Sequence, residues 1–283
     1  AGVSFVSQST TDDFYTNDLT LLDGTSLQAP DLWVGERLTL EGNATLSGPE
    51  GARLPRLDLA DVLDMNGTSH VYAETVEMRS DLEMEPGAEL DASLVNLHSR
   101  LVEPGGIYTV PRTQAVGSIT LQDDVTVDYA DFRALSSSRI SVNGHTLVID
   151  TDFTQISTST SQGLYMVNAN DDVTITGTAT FGGYFPALNA GILRLQGDLE
   201  ATSTSAYRPG NVTTRFEGTR PQTVTFNGAS SSNNRFTDVQ IANLAGVSFV
   251  SQSTTDDFYT NDLTLLDGTS LQAPDLWVGE RLT

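Results

Sequence analysis

The chain has 283 residues and a formal net charge of −23, with 37 acidic side chains against 14 basic ones, all of the latter arginine. Without cysteine or lysine it can form no disulfide, thiolate metal site, cysteine nucleophile or Schiff base. So acidic a surface repels phosphate backbones, which argues against nucleic acid as a partner, and no apolar run approaches the ~20 residues of a membrane-spanning helix.

From the N-terminus the chain alternates apolar and polar residues with a period of two, the mark of half-buried strands. Leu19-Thr-Leu21, Leu32-Trp-Val34 and Leu38-Thr-Leu40 come first, followed by Leu57-Asp-Leu59, Leu82-Glu-Met84 and Ile119-Thr-Leu121. Val125-Thr-Val127, Ile140-Ser-Val142, Val173-Thr-Ile175, Leu193-Arg-Leu195, Val224-Thr-Phe226 and Val239-Gln-Ile241 continue the pattern. No apolar stripe of helical period is long enough to predict a helix. Glycine follows many of these pairs, as at Gly24, Gly42, Gly87, Gly144 and Gly197, where a positive φ would turn a tight corner. The weakest alternation runs from Tyr184 to Pro221, with Pro186, Pro209 and Gly210, and predicts a protruding loop or distorted coil.

At Ala245 the chain begins again. Residues 245–283 repeat residues 1–39 letter for letter, offset by 244. A copy without a single substitution implies recent amplification, homogenising recombination or construction. The expected organisation is one full repeat over 1–244 and the start of the next over 245–283. With Ala at its first position and an alternating segment at its last, the sequence reads as a window on a longer tandem array.

Short strands, glycine corners and alternate inward side chains fit coils of parallel strands stacked ~4.8 Å apart. The expected fold is therefore all-β: an elongated, right-handed parallel β-helix, or β-solenoid. At 20 to 25 residues per coil, one period would hold about 10 to 12 coils and span about 50 to 60 Å. A stack of β-sandwiches is the competing architecture, and antiparallel pairing would reveal it. Trp33 and its copy Trp277 are expected to pack once per period.

No catalytic, cofactor-binding or metal-binding residue is assigned. The paired acids Asp12-Asp13, Asp123-Asp124 with Asp128 and Asp131, and Asp171-Asp172 are read as solvated corner acids. Adjacent strand residues face opposite ways, so only Asp124 and Asp128 could share a side as a glycosidase pair would require. The calcium-loop pattern is absent, leaving only weak divalent-cation binding between stacked acids. His70, His98 and His145 are scattered and lack the spacing of zinc ligands, which favours ordinary surface histidines.

The segment from Asn234 to Asn243, Gly-Asp-Leu-Glu-Ala around Gly197, and then Gly246-Val-Ser-Phe249, Leu263-Thr-Leu265, Gly268 and Leu271 resemble the secreted β-helix surface proteins of bacteria. This class includes filamentous haemagglutinin-like adhesins. The resemblance is one of style and spans nearly the whole chain. It implies an extracellular, non-enzymatic rod or filament that mediates attachment, cell-cell contact or sheath formation. Its partners would be other copies of itself, head to tail or side by side, and cell-surface glycans or proteins. A carbohydrate-active or glycan-binding β-helix module is the alternative function.

Overall fold

The structure is a computed structural model that describes residues 2–4, 14–251 and 257–283. The chain forms two compact units, residues 1–114 and 115–283. Both are built from parallel strands wound as a β-solenoid, with about 13 turns in all, and a single 3-10 turn at Pro49–Gly51 is the one helical element among the described residues. Among the described residues no helix is long and apolar enough to cross a membrane. The parallel pairing excludes the stacked-sandwich alternative.

In the first unit each turn supplies short segments to three ladders. Leu27, Leu46, Val71, Leu90 and Tyr108 are successive partners in one, at intervals of 19, 25, 19 and 18 residues. Leu32, Leu57, Val76 and Val95 form the second, and Leu38, Leu63 and Leu82 the third. Apart from Tyr108 all are buried, so like sits on like and each turn covers the apolar floor of the last. Burial of each such aliphatic side chain contributes about 1.5–3 kcal/mol. The residues between them point away from this apolar floor and form a further ladder, Trp33, Asp58, Glu77 and Asn96, the last of them buried.

Trp33 thus packs outside the core. Its ring lies 5.7 Å from that of Tyr15, over Gly35, where a Cβ would come within 2.8 Å of the indole. The strand Leu32-Trp-Val34 demands this: with Leu32 and Val34 buried, the residue between them must face out.

The second unit repeats the scheme with an aromatic interior. One ladder runs Leu147, Val173, Leu193, Thr214, Val239 and Leu263, and another Phe153, Ala179, Leu199, Val224 and Phe249. Buried rings make a continuous spine from Tyr129 through Phe132, Phe153, Phe181, Tyr207, Phe226 and Phe236 to Phe258, each 5.1–6.3 Å from the next. Contacts of this kind add about 0.5–1.5 kcal/mol beyond area burial.

Both ladders cross the boundary between the period and its copy at 244/245. Where residues of both copies are described, the strand pairing of the original recurs in the copy. Phe14–Leu21 and Phe258–Leu265 occupy equivalent positions, and the pairs Phe14/Leu32, Tyr15/Trp33 and Thr16/Val34 recur as Phe258/Leu276, Tyr259/Trp277 and Thr260/Val278. Even the register shift recurs, after Thr16 and after Thr260.

Glycine serves the corners in two ways. Gly24, Gly42 and Gly144 have positive φ, as the sequence predicts. Gly87 and Gly197 do not. There a Cβ would collide with the backbone of the preceding turn, at Gly67 O and Gly177 O respectively, so close approach and not handedness explains the residue.

Many corner acids bind backbone. Asp23 accepts from Asn43 N at 3.0 Å, Asp124 from Thr146 N at 2.8 Å, Asp152 from Thr178 N at 2.7 Å and Asp198 from Thr223 N at 2.6 Å. Each reaches one turn ahead and satisfies an amide that the ladder leaves free. Part of the net charge is therefore structural.

Candidate functional site

The acid pairs singled out in the sequence do not converge. Asp12 and Asp13 lie outside the described residues. Asp124 and Asp128 share the outer side, yet they flank opposite ends of Val125–Val127, about 13 Å apart along an extended chain and beyond the ~5–10 Å carboxyl separation of glycosidases. Asp131 pairs with Arg133 at 2.6 Å. Asp171 is no solvated corner acid: it is buried and accepts from Gly144 N at 2.5 Å, Val167 N at 2.7 Å and Asn168 N at 2.9 Å. Its neighbour Asp172 faces the other way and binds Arg194 at 2.9 Å.

Stacked acids are bridged largely by arginine. Arg37 lies 2.9 Å from Asp64 and 3.7 Å from Glu83, while Arg56 and Arg79 approach Asp58 at 3.0 and 3.2 Å. Among the described residues no group of three His, Asp or Glu side chains is arranged to hold a metal ion. The histidines stay apart, with His98 bound to Glu77 at 2.8 Å and His145 lying 3.8 Å from Asp124. His70 is half-buried, and its Nε2 has no hydrogen-bond partner.

The irregular stretch predicted around Tyr184 to Pro221 produces a concavity with a distinct chemistry. The ladder formed by Ser118–Thr120, Arg139–Ser141 and Gly163–Tyr165 stops at its third strand, and only a bridge from Met166 to Leu188 continues it. Pro186 and Pro209 cannot donate to a ladder, and Gly191 adopts φ +93°. The interrupted face leaves a cleft of about 570 Å³ lined by Thr160, Tyr165, Phe185, Asn189, Arg208 and Arg235.

Two buried residues position its arginines. Asn234 is fully buried and completely satisfied: its Oδ1 accepts from Ala206 N and Tyr207 N at 2.9 and 2.8 Å, and its Nδ2 donates to Ser203 O and Asn227 O, both at 2.7 Å. Tyr207 is also fully buried, its hydroxyl 2.7 Å from Thr214 Oγ1. Arg235 N donates to Tyr207 O at 3.0 Å. With Tyr207 and Asn234 inward, their successors Arg208 and Arg235 emerge side by side at the cleft.

No carboxylate lines this cleft. Arg208 donates to Ser232 O at 3.2 Å and sits 5.8 Å from the Phe185 ring centroid; Arg235 donates to Ser231 O at 2.9 Å, and its Nε is buried without a partner. Burial, and then the neighbouring charge of Arg208, pull the Arg235 guanidinium below its usual pKa. Beside them Arg139 covers Tyr165 at 4.0 Å. Elsewhere Arg37, Arg53, Arg133 and Arg194 each hold an acid within 3 Å. The cleft is thus an anion-attracting, aromatic-walled patch on an acidic protein. Sequence reasoning located the distortion but missed these arginines.

No protein-family model matches the chain, and no curated protein or solved structure matches it.

Proposed function

We propose that the chain is part of a structural and adhesive rod or filament outside a bacterial cell, built by joining identical β-solenoid repeats head to tail. The observation that carries this reading is the recurrence of strand positions, partners and register shift in the two copies. Ladders that run through residue 244 into the copy supply the means of joining without a linker. Stiffness would come from parallel hydrogen-bond ladders along one axis, length from copy number, and solubility from net charge. The resemblance to secreted β-helix surface proteins points the same way.

Electron microscopy of chains carrying two, four and eight periods tests it. Particle length should grow linearly, by about 50–60 Å per added period, with constant width. Beads of fixed size on bending joints would refute it. The glycan-binding alternative is favoured by one observation, the arginine and aromatic cleft.

A further inference from the structure

We propose that the cleft between Tyr165 and Arg235 binds an acidic oligosaccharide through a sugar carboxylate, so that the rod carries a lectin-like site in each repeat. The inference gives the adhesive part of the preceding reading its ligand class, and rests on that reading only for its biological setting. The site itself lies within one repeat and needs no fibre.

Three features select the ligand. The first is charge. A guanidinium has five N–H donors, and the protein takes one from Arg208 and one from Arg235. Two adjacent cations kept beside one another without an acid, in a chain of net charge −23, favour a carboxylate that enters between them. The second is shape and surface. A volume of about 570 Å³ falls in the range of ordinary ligand sites, and the ring of Phe185 suits the C–H face of a pyranose ring, while Arg139 covers one face of Tyr165. The third is the rim: Thr160 and Asn189 both donate and accept, as sugar hydroxyls require.

The same features disfavour an acidic peptide. Extended peptides commonly dock by adding a strand to a free edge, and here the bordering segments are irregular and interrupted by Pro186 and Pro209. A nucleic acid would bring a continuous run of phosphates against the acidic surface.

Isothermal titration of the 283-residue chain tests the proposal with four probes: a tetrasaccharide of alternating glucuronate and N-acetylglucosamine, a neutral N-acetylglucosamine tetrasaccharide, a glutamate-rich tetrapeptide and a mixed-sequence DNA tetranucleotide. The acidic sugar should bind best, and binding should weaken as salt is raised from ~50 to ~300 mM. The double variant R208Q/R235Q should lose at least about tenfold in affinity, the loss expected when charge-assisted bonds are removed. F185A should weaken both the acidic and the neutral sugar. R79Q, whose arginine lies on the first unit and binds Asp58, should bind as the parent does. Circular dichroism melting of each variant separates loss of the site from loss of the fold. Equal binding of the acidic and neutral sugars, preference for the peptide or the nucleotide, no binding by any probe, or undiminished affinity in a folded R208Q/R235Q chain would each overturn the proposal. Since one repeat suffices, these outcomes are independent of whether multi-repeat chains form rods.

Discussion

Phe236 and Phe258 stack with ring centroids 5.1 Å apart and planes inclined by 26°, the first from the closing turns of the 244-residue period and the second from its copy. Phe258 is buried at 1% exposure and also meets Phe249 edge-on at 5.3 Å. Its counterpart Phe14, with identical sequence neighbours, is half-buried. One residue type in one local sequence thus has two environments, Phe258 being packed against Phe236 and Phe249. Phe258→Ala should cost about 3–5 kcal/mol, as for a fully buried phenylalanine, and Phe14→Ala clearly less. Urea titrations of the two variants decide it. Equal losses would mean that the spine ends before the copy.

The alternation, the glycine corners and the perfect duplication made the coil architecture legible in the sequence, because each is a local signal. Trp33 was legible too in principle, since the parity of Leu32 and Val34 places it outside. What could not be read is everything that depends on the length of a turn. Intervals of 18 to 26 residues between ladder partners vary without an obvious marker, so nothing local reveals that Asp198 will cap Thr223 or that Arg208 will lie beside Arg235. The burial of Asp171 was missed for the same reason, as one of its three amides comes from Gly144 in another turn.

The two uses of glycine predict different costs. Gly51 has φ +76° with nothing within 4 Å of a Cβ, so Gly51→Ala should carry only the conformational penalty of about 1 kcal/mol. Gly67 combines φ +67° with a Cβ position 2.7 Å from Gly42 O in the preceding turn. Gly67→Ala must strain the backbone and separate two turns, and should cost about 2–4 kcal/mol more. Denaturation midpoints give the comparison directly; a smaller loss at Gly67 would show that the turns can spread at little cost.

Alkaline stability should depend on Tyr207. Burial raises its hydroxyl pKa above the ordinary tyrosine value, outweighing the bond with Thr214, so the folded state holds a proton that the unfolded chain releases near pH 10. Below that pH the contribution is constant. Above it, stability falls by up to about 1.4 kcal/mol per pH unit until the folded group itself ionises. Tyr207→Phe removes the titration but leaves the buried Thr214 hydroxyl unpaired, at a cost of about 1–3 kcal/mol at neutral pH. The variant should therefore be less stable at pH 7 and decline less steeply between pH 10 and 11.5. Parallel pH profiles would sink this account.

The last described turn tests whether the repeat can propagate. Leu276, Trp277 and Leu282 are 47%, 50% and 62% exposed, whereas the first-copy equivalents Leu32 and Leu38 are at most 2% exposed. In the first copy these leucines are covered by Leu57 and Leu63 of the following turn. A chain continued past Thr283 with the sequence of residues 40–65 carries the same partners to the same place. The added copies of Leu57 and Leu63 should then oppose Leu276 and Leu282, each newly buried leucine contributing about 1.5–3 kcal/mol. Amide exchange in Leu276–Leu282 should slow to the rate found in Asp31–Leu40, because the unpaired edge of that strand gains a ladder partner. Extension with the same residues in scrambled order should leave exchange fast. If the extension in repeat order also left it fast, the strand Leu276–Leu282 would lack the capacity of Asp31–Leu40 to carry a further turn, and growth by repetition would need some other connection.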